Sequence, residues 1–366
     1  MNKNLNNKIK VCFILRPAYA LFNSNSNSNF GGAEVQFYLI AKELAKDTRF
    51  EVYFIVGDFN QKDIERKQNI VIIKGYKKNK ISSILKLIKV VRKINADYYF
   101  ITGPKGTNGL IGYLCKKLDK KLAYRTASEI DCNGDFIKNH FFEGILYLYG
   151  LKKATFLITQ NYSHKQLLEE KHKLNSQVIK NSFCIPKPTK TSKKFILWVS
   201  RFDYMKRPEV FLYLAKNFPN ERFIMICPSK MEDHKYLLLI KESNKIKNLK
   251  FIKKVQFNKI QKYFNKAKVF VNTSDFEGFP NTFIQAGIGK TPILSLNVNP
   301  DKFLDSYQCG ICVNGDVNKM KENLSSILSN TKKRQKMGNN AYKYVQKNHD
   351  IKNNIKQLKT IFLKND

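Results

Sequence analysis

The amino-acid sequence predicts an α/β protein built from two doubly wound, parallel-sheet units in tandem. Three observations lead there. Apolar runs of about five residues alternate with segments of helical periodicity along most of the chain. The runs are continuous rather than alternating, which is the pattern of strands buried on both faces of a parallel sheet. A polar stretch containing Pro186 and Pro188 divides the alternation near its middle. With 366 residues, 43% hydrophobic and 26% charged, the chain is long enough for two cores, and it is not a disordered, collagen-like or small disulfide-bonded chain.

In the first half, strands are expected over residues 11–15, 51–56, 98–101, 122–124 and 156–159. Helices are expected over 33–46, 81–94 and 162–171, where apolar residues recur at helical spacing. The second half repeats the alternation with strands over 195–199, 222–226, 269–272 and 291–296. The expected organisation is a first domain over 1–185, a linker over 186–194, a second domain over 195–347 and a closing helix within 348–366, where 351–363 is amphipathic. An Asn/Ser tract over 23–29 cannot offset its own ordering entropy and reads as a mobile loop.

Lys and Arg number 66 against 29 Asp and Glu, a formal net charge of +37. Such a field favours phosphate-bearing partners or an anionic membrane surface. The plain alternative is a Lys- and Asn-rich composition spread over solvated faces. The chain carries no nucleic-acid-binding module, so nucleic acid is not expected as a partner. The seven Cys are scattered, and the apolar run 11–15 is too short for a secretory signal or a span, so a cytoplasmic setting is expected. Cys309 and Cys312 form a CxxC inside a run that reads as a buried strand, without a redox context. The five His are dispersed and no Asp-x-Asp pair occurs, so neither a metal nor another cofactor is expected.

Three clusters carry candidate chemistry. Gly31-Gly32-Ala33-Glu34 follows a strand and a loop and opens a helix, where backbone N–H groups and the helix dipole favour a phosphate. A plain turn is the alternative. At 198–208, a strand ends near Ser200, a loop presents Arg201 and Lys206, and Pro208 suits a first helical turn. The pair suits a diphosphate, the Arg as a rigid fork and the Lys as a mobile point charge; a solvated basic loop is the alternative. At 275–287, Glu277 lies in a Gly/Pro loop, and Asn281 and Thr282 begin a helix whose free N–H groups make an anion cradle beside the carboxylate. The alternative is a capped helix with Glu277 on the surface.

The second and third clusters, in this order and about seventy residues apart, resemble the donor domain of the family 4 glycosyltransferases. That resemblance covers most of the chain and implies the GT-B architecture, two Rossmann-like domains facing each other across a cleft. In the family's Gly-Arg-x4-Lys-Gly/Arg-Pro segment the Arg and Lys hold the donor diphosphate; those roles fall on Arg201 and Lys206, with Ser200 replacing the usual Gly. In its Glu-x7-Glu motif the first Glu contacts the transferred sugar, which falls on Glu277, and the second binds the nucleotide ribose, where this chain has Gln285. An amide offers a ribose diol one acceptor oxygen in place of a carboxylate, a loss of roughly 1–2 kcal/mol in donor binding. Gly31 and Gly32 match the family's turn facing the donor phosphates, and 309–316 matches a structural strand and turn. Within 125–131, which follows a first-domain strand, the resemblance gives Asp131 a place facing the sugar.

The activity implied is retaining, metal-independent transfer of a sugar from a nucleoside diphosphate sugar to a glycan or lipid-linked acceptor, in the assembly of a bacterial capsule, O-antigen or wall glycan. The alternative is a non-catalytic GT-B subunit of such a pathway, motivated by Gln285. On the surface, 75–94 is a basic amphipathic segment suited either to an anionic membrane or to packing on the sheet. Phe136 to Leu151 is rich in Phe and Tyr and suits a core, an acceptor or a bilayer interface, consistent with a peripheral position on the inner face of the cytoplasmic membrane.

Overall fold

A computed structural model describes residues 8–23, 30–77, 79–187, 191–229 and 233–364. Residues 24–29 of the Asn/Ser tract, 188–190 of the expected linker and Lys78 of the basic segment lie outside the described residues. The chain divides into two compact units, Met1–Ser182 together with Ile351–Asp366, and Phe183–Asp350.

The first unit holds β1 (Ile9–Ile14), β2 (Phe50–Val56), β3 (Ile64–Lys67), β4 (Ile70–Lys74), β5 (Tyr98–Thr102), β6 (Lys121–Arg125), β7 (Phe156–Thr159) and β8 (Gln177–Val178). They form one sheet in the order β3-β4-β2-β1-β5-β6-β7-β8, parallel throughout except for the antiparallel β3–β4 pair. The expected strands are present; β4, whose residues 70–73 are also an apolar run, is not among those expected, and β3 and β8 add edges that the apolar-run pattern does not mark. Alternation along the central strands feeds two layers. Val11 and Phe13 of β1 pack with Phe54 and Phe100 on one face, while Cys12 and Ile14 pack with Tyr99 and Ile101 on the other. Helices Gly32–Leu44 and Ile351–Lys364 cover the first face. Helices Lys80–Ile94, Thr107–Lys117 and Phe141–Lys153 contribute to the second.

Two of these helices approach closely because glycines remove the side chains between them. A Cβ at Gly109 would stand 2.4 Å from the Leu146 carbonyl oxygen, and one at Gly150 would stand 2.6 Å from the Asn108 carbonyl carbon. The C-terminal helix is fixed to the sheet by Phe362, fully buried, whose carbonyl accepts the Tyr98 hydroxyl at 2.9 Å and whose ring lies 4.5 Å from that of Tyr98. Lys359 Nζ reaches Asp47 at 2.7 Å. Asp47 also accepts from Nε and Nη2 of Arg49, and its carboxyl is held well below the usual carboxylate range chiefly by Arg49.

The second unit holds β9 (Phe195–Val199), β10 (Phe223–Ile226), β11 (Leu249–Ile252), β12 (Ala267–Asn272), β13 (Ile293–Ser295) and β14 (Gly310–Cys312). All are parallel, in the order β11-β10-β9-β12-β13-β14. The order reverses direction between β9 and β12, so the loops leaving these neighbours diverge to opposite faces and leave a crevice at their carboxyl ends. Trp198, Val269 and Val271 fill one layer, and Phe270 packs against Phe264 and Phe283 on the other. Cys309 is buried in the turn before β14, and burial pushes its thiol up to about 12. All seven Cys are free thiols.

Removing the Phe362 ring opens a cavity under the C-terminal helix. Phe362→Ala is expected to destabilise the first unit by about 3–5 kcal/mol, read as a lower urea midpoint for that unit's transition.

Candidate functional site

The crevice at the ends of β9 and β12 collects the residues singled out in the second half of the sequence. After β9 the chain passes Ser200 and Arg201, makes a short turn over Tyr204–Lys206 and enters the helix Pro208–Asn217. The side chain of Asp203 starts the turn by accepting the Met205 N–H at 3.1 Å. Arg207 takes φ 43°, a left-handed conformation that costs a non-glycine residue on the order of 1 kcal/mol, and its guanidinium lies 3.7 Å from Asp275. Pro208 opens the helix at the position where its missing N–H loses no bond. Arg201 is exposed, and its side chain forms no hydrogen bond or ion pair among the described residues.

Opposite it, β12 ends at Asn272 and the loop 273–280 carries Glu277. One oxygen of this carboxylate, Oε1, gathers three donors: Lys206 Nζ at 3.0 Å, Asn272 Nδ2 at 3.1 Å and Ser274 Oγ at 2.6 Å. The other, Oε2, has no partner among the described residues. Lys206 and Glu277 are 16% and 21% exposed at their side chains, so the pair is shielded but reachable. The two loops are also tied through Thr273, whose hydroxyl accepts the Trp198 indole N–H at 2.9 Å and donates to the Lys206 carbonyl at 2.5 Å. A backbone bond from Asp275 N to the Met205 carbonyl at 2.8 Å completes the seam.

Beyond Glu277, Phe279 anchors the loop by packing on Phe303 and His349. Helix Asn281–Ile288 follows, with Pro280 at its N-cap position and no capping side chain, so neither Asn281 nor Thr282 is the cap. Both sit in the first turn, and the Phe283 N–H that follows them is taken by the Pro280 carbonyl at 3.0 Å. Gln285 lies one turn further on and is buried, and its side-chain amide forms no hydrogen bond among the described residues.

The first-unit candidates sit differently. Gly31 precedes helix Gly32–Leu44, and its N–H is taken by the Glu34 carboxylate at 2.7 Å, so it closes the helix end rather than presenting a free donor. Asp131 is fully buried. Its carboxylate accepts the Ala127 N–H at 2.6 Å and the hydroxyls of Ser128 and Tyr124 at 3.0 Å each. The expectation that Asp131 faces the sugar is therefore corrected: it knots the loop after β6 from inside. Arg125, at the end of β6, is also buried and bonds Asn181 Oδ1 at 2.8 Å; burial lowers it to about 10.

Sequence reasoning overlooked Trp198, Asn272, Thr273 and Ser274 as residues of this site. The available signal was a polar triplet, Asn272-Thr273-Ser274, directly following an apolar strand at the end where open α/β sheets bind ligands. Among the described residues, no three His, Cys, Asp or Glu side chains converge as a metal site would require.

Residues 183–344, nearly the whole second unit, match the family of glycosyl transferases group 1. Over 298 residues the chain is 24% identical to the capsular polysaccharide biosynthesis glycosyltransferase CapH of Staphylococcus aureus, covering 77% of this chain and 82% of that protein. Sucrose-phosphate synthase from Thermosynechococcus elongatus superposes with a TM-score of 0.80 at 15% identity, covering 98% of this chain and 99% of that one. A variant of S. aureus TarM, solved with fondaparinux, alpha-GlcNAc-glycerol and UDP, superposes at 0.62 with 17% identity, covering 76% of this chain and 59% of that one. The fold is GT-B. Together the likenesses support a GT-B glycosyltransferase acting in glycan synthesis.

Ser274 fixes Glu277 without occupying the crevice. Ser274→Ala removes one bond to a charged acceptor, and turnover of a sugar nucleotide is expected to fall on the order of tenfold with nucleoside diphosphate affinity unchanged, measured by steady-state kinetics and calorimetry. Burial pushes Asp131 up to about 6 from 3.8, outweighing its three hydrogen bonds. With a raised folded value, its contribution is full below the unfolded value and lost as pH rises through about 6. Relative to Asp131→Asn, the wild type is expected to lose about 2 kcal/mol between pH 4 and pH 6, read from urea midpoints at each pH.

Proposed function

We propose that the protein transfers a sugar from a nucleoside diphosphate sugar to a glycan or lipid-linked acceptor, with retention at the anomeric carbon and without a metal, in assembly of a bacterial surface polysaccharide. The observation that carries the reading is the Glu277 carboxylate: one oxygen is locked by three donors and the other has no partner among the described residues, while the loop that brings Lys206 to it also carries the exposed Arg201. A carboxylate fixed in this way can orient sugar hydroxyls through its open oxygen. Arg201 and Lys206 then meet the diphosphate, and the first turn of helix Asn281–Ile288 adds its dipole.

The bond from the anomeric carbon to the diphosphate oxygen breaks, and its electron pair stays on that oxygen, where the two cations stabilise the charge. The acceptor hydroxyl oxygen bonds to the anomeric carbon on the same face, and its proton passes to the departing phosphate. No protein nucleophile is required, in keeping with Glu277 being held by Lys206, Asn272 and Ser274. Gln285 supplies an amide where the family 4 pattern places a carboxylate toward the ribose. The UDP in the TarM complex makes UDP-sugars the first donors to try, and the likeness to CapH supports a capsule-type product.

Thermal unfolding with UDP-, GDP-, ADP- and CMP-sugars tests the reading. A donor at a hundredfold over its Kd is expected to stabilise the protein by about 2.7 kcal/mol. Arg201→Ala should abolish the shift, and Gln285→Glu should tighten binding roughly tenfold. Absence of any shift in folded protein would replace the enzyme reading with the non-catalytic one.

A further inference from the structure

We infer that three helices of the first unit form a docking face for an anionic lipid bilayer. The inference extends the reading of a lipid-linked acceptor, but it stands on surface chemistry alone.

Helix Lys80–Ile94 buries one stripe, Ser83, Leu87, Val91 and Ile94, against the sheet. A helix packed on a sheet needs one apolar stripe, yet this one carries a second, with Ile81 72% and Leu85 56% exposed. Helix Phe141–Lys153 does the same. Phe141 and Phe142 are 69% and 80% exposed and touch edge to face at 5.3 Å, and Ile145 and Leu146 continue the exposed stripe. Between these helices and Thr107–Lys117 runs a groove of about 510 Å³, lined by Ile84, Leu110, Tyr113, Leu146 and Tyr149 among others. Of the sixteen large apolar side chains exposed among the described residues, eight lie on these three helices. Single exposed apolar residues are ordinary on a protein surface, but a contiguous patch marks a contact surface.

Charge selects the occupant. The three helices carry nine Lys or Arg and one carboxylate, Glu143. Six of the nine cations stand in the last turns, Arg92 and Lys93, Lys116 and Lys117, and Lys152 and Lys153, whereas the first turns hold Ile81, Phe141 and Phe142 with one cation, Lys80. Close contacts pair Gly106 with Glu143, Gly109 with Leu146 and Gly112 with Gly150, so the second and third helices run parallel and their Lys pairs share an end. An apolar end with a basic band behind it matches the layering of an anionic bilayer, hydrocarbon first and phosphate next. No helix of the described residues is long and apolar enough to cross a membrane, so the contact is interfacial.

Sedimentation of the full chain with vesicles of phosphatidylcholine, or of phosphatidylcholine mixed with phosphatidylglycerol, tests this with no sugar nucleotide present, so it fails independently of the proposed activity. The wild type should pellet with the mixed vesicles only, and less so as salt rises. Phe141→Ser with Phe142→Ser should weaken partitioning at least about tenfold. Lys89→Glu with Arg92→Glu and Lys93→Glu, which keeps both Phe, should remove the preference for phosphatidylglycerol. Both variants alter exposed side chains, and their melting curves should match the wild type. Equal pelleting with both vesicle types, undiminished pelleting of the Phe variant, or a concentration-dependent dimer that the Phe variant abolishes would each overturn the inference, the last by assigning the patch to a second copy of the chain.

Discussion

The second unit's site depends on the seam that joins the loops carrying Lys206 and Glu277. The two residues arrive on separate loops from β9 and β12, the neighbours between which the sheet order reverses. A partly exposed ion pair such as theirs contributes about 1 kcal/mol or less by itself; its consequence is positional. It holds a cation and a carboxylate 3.0 Å apart at the rim of the crevice. Asn272 and Ser274 bond the same carboxylate, so Glu277 keeps its place whichever partner Lys206 takes. The loops do not rely on the ion pair to stay joined. Thr273 links the buried Trp198 indole to the Lys206 backbone, so the Lys206 side chain is free to change partner while its main chain stays put.

The same economy accounts for the unlike fates of the first-unit candidates. Gly31 and Asp131 both sit after strands at an edge where ligands bind in such sheets, and sequence alone makes both attractive. The structure spends each on local order. Glu34 closes the helix end at Gly31, and Asp131 satisfies three donors around the turn after β6. A carboxyl raised to about 6 by burial is a destabilising element at neutral pH. Its retention is explained by the three donors that would otherwise be buried without an acceptor.

Much of the fold was legible because a parallel strand covered on both faces must be apolar at every position. Runs such as Phe195–Val199 and Phe156–Thr159 therefore identify themselves. Strand β3 was not legible, since Ile64–Lys67 is a charged edge strand with only one neighbour and no need of an apolar run, whereas β4, with the apolar run 70–73 between two neighbours, carried the signal and was passed over. At the site, Arg201, Lys206 and Glu277 stand out by charge and by their place after strands. Asn272, Thr273 and Ser274 were missed because their work is defined by partners on another loop, which spacing along the chain does not encode. The place of the exposed Phe141 and Phe142 was left open among a core, an acceptor and a bilayer interface for a related reason. Composition marks apolar residues, whereas burial is decided by which face the glycine-tight packing of two helices leaves outward.

Low identity to structural relatives alongside close superposition follows from this division of labour. Layer packing constrains residue class and volume, not identity, so many sequences fill the same two-sided sheets. Chemistry at the crevice constrains a few side chains in loops whose ends the sheet already fixes. Gln285 illustrates the margin this leaves. It occupies the first helix beyond β12, buried, with an amide that is not used to hold the helix. At such a position an amide can stand in place of a carboxylate without loss of a structural hydrogen bond. Ser274 is the opposite case. Its hydroxyl shapes Glu277 without being aimed at a ligand, so its alteration reaches the chemistry only through the geometry of the carboxylate it holds.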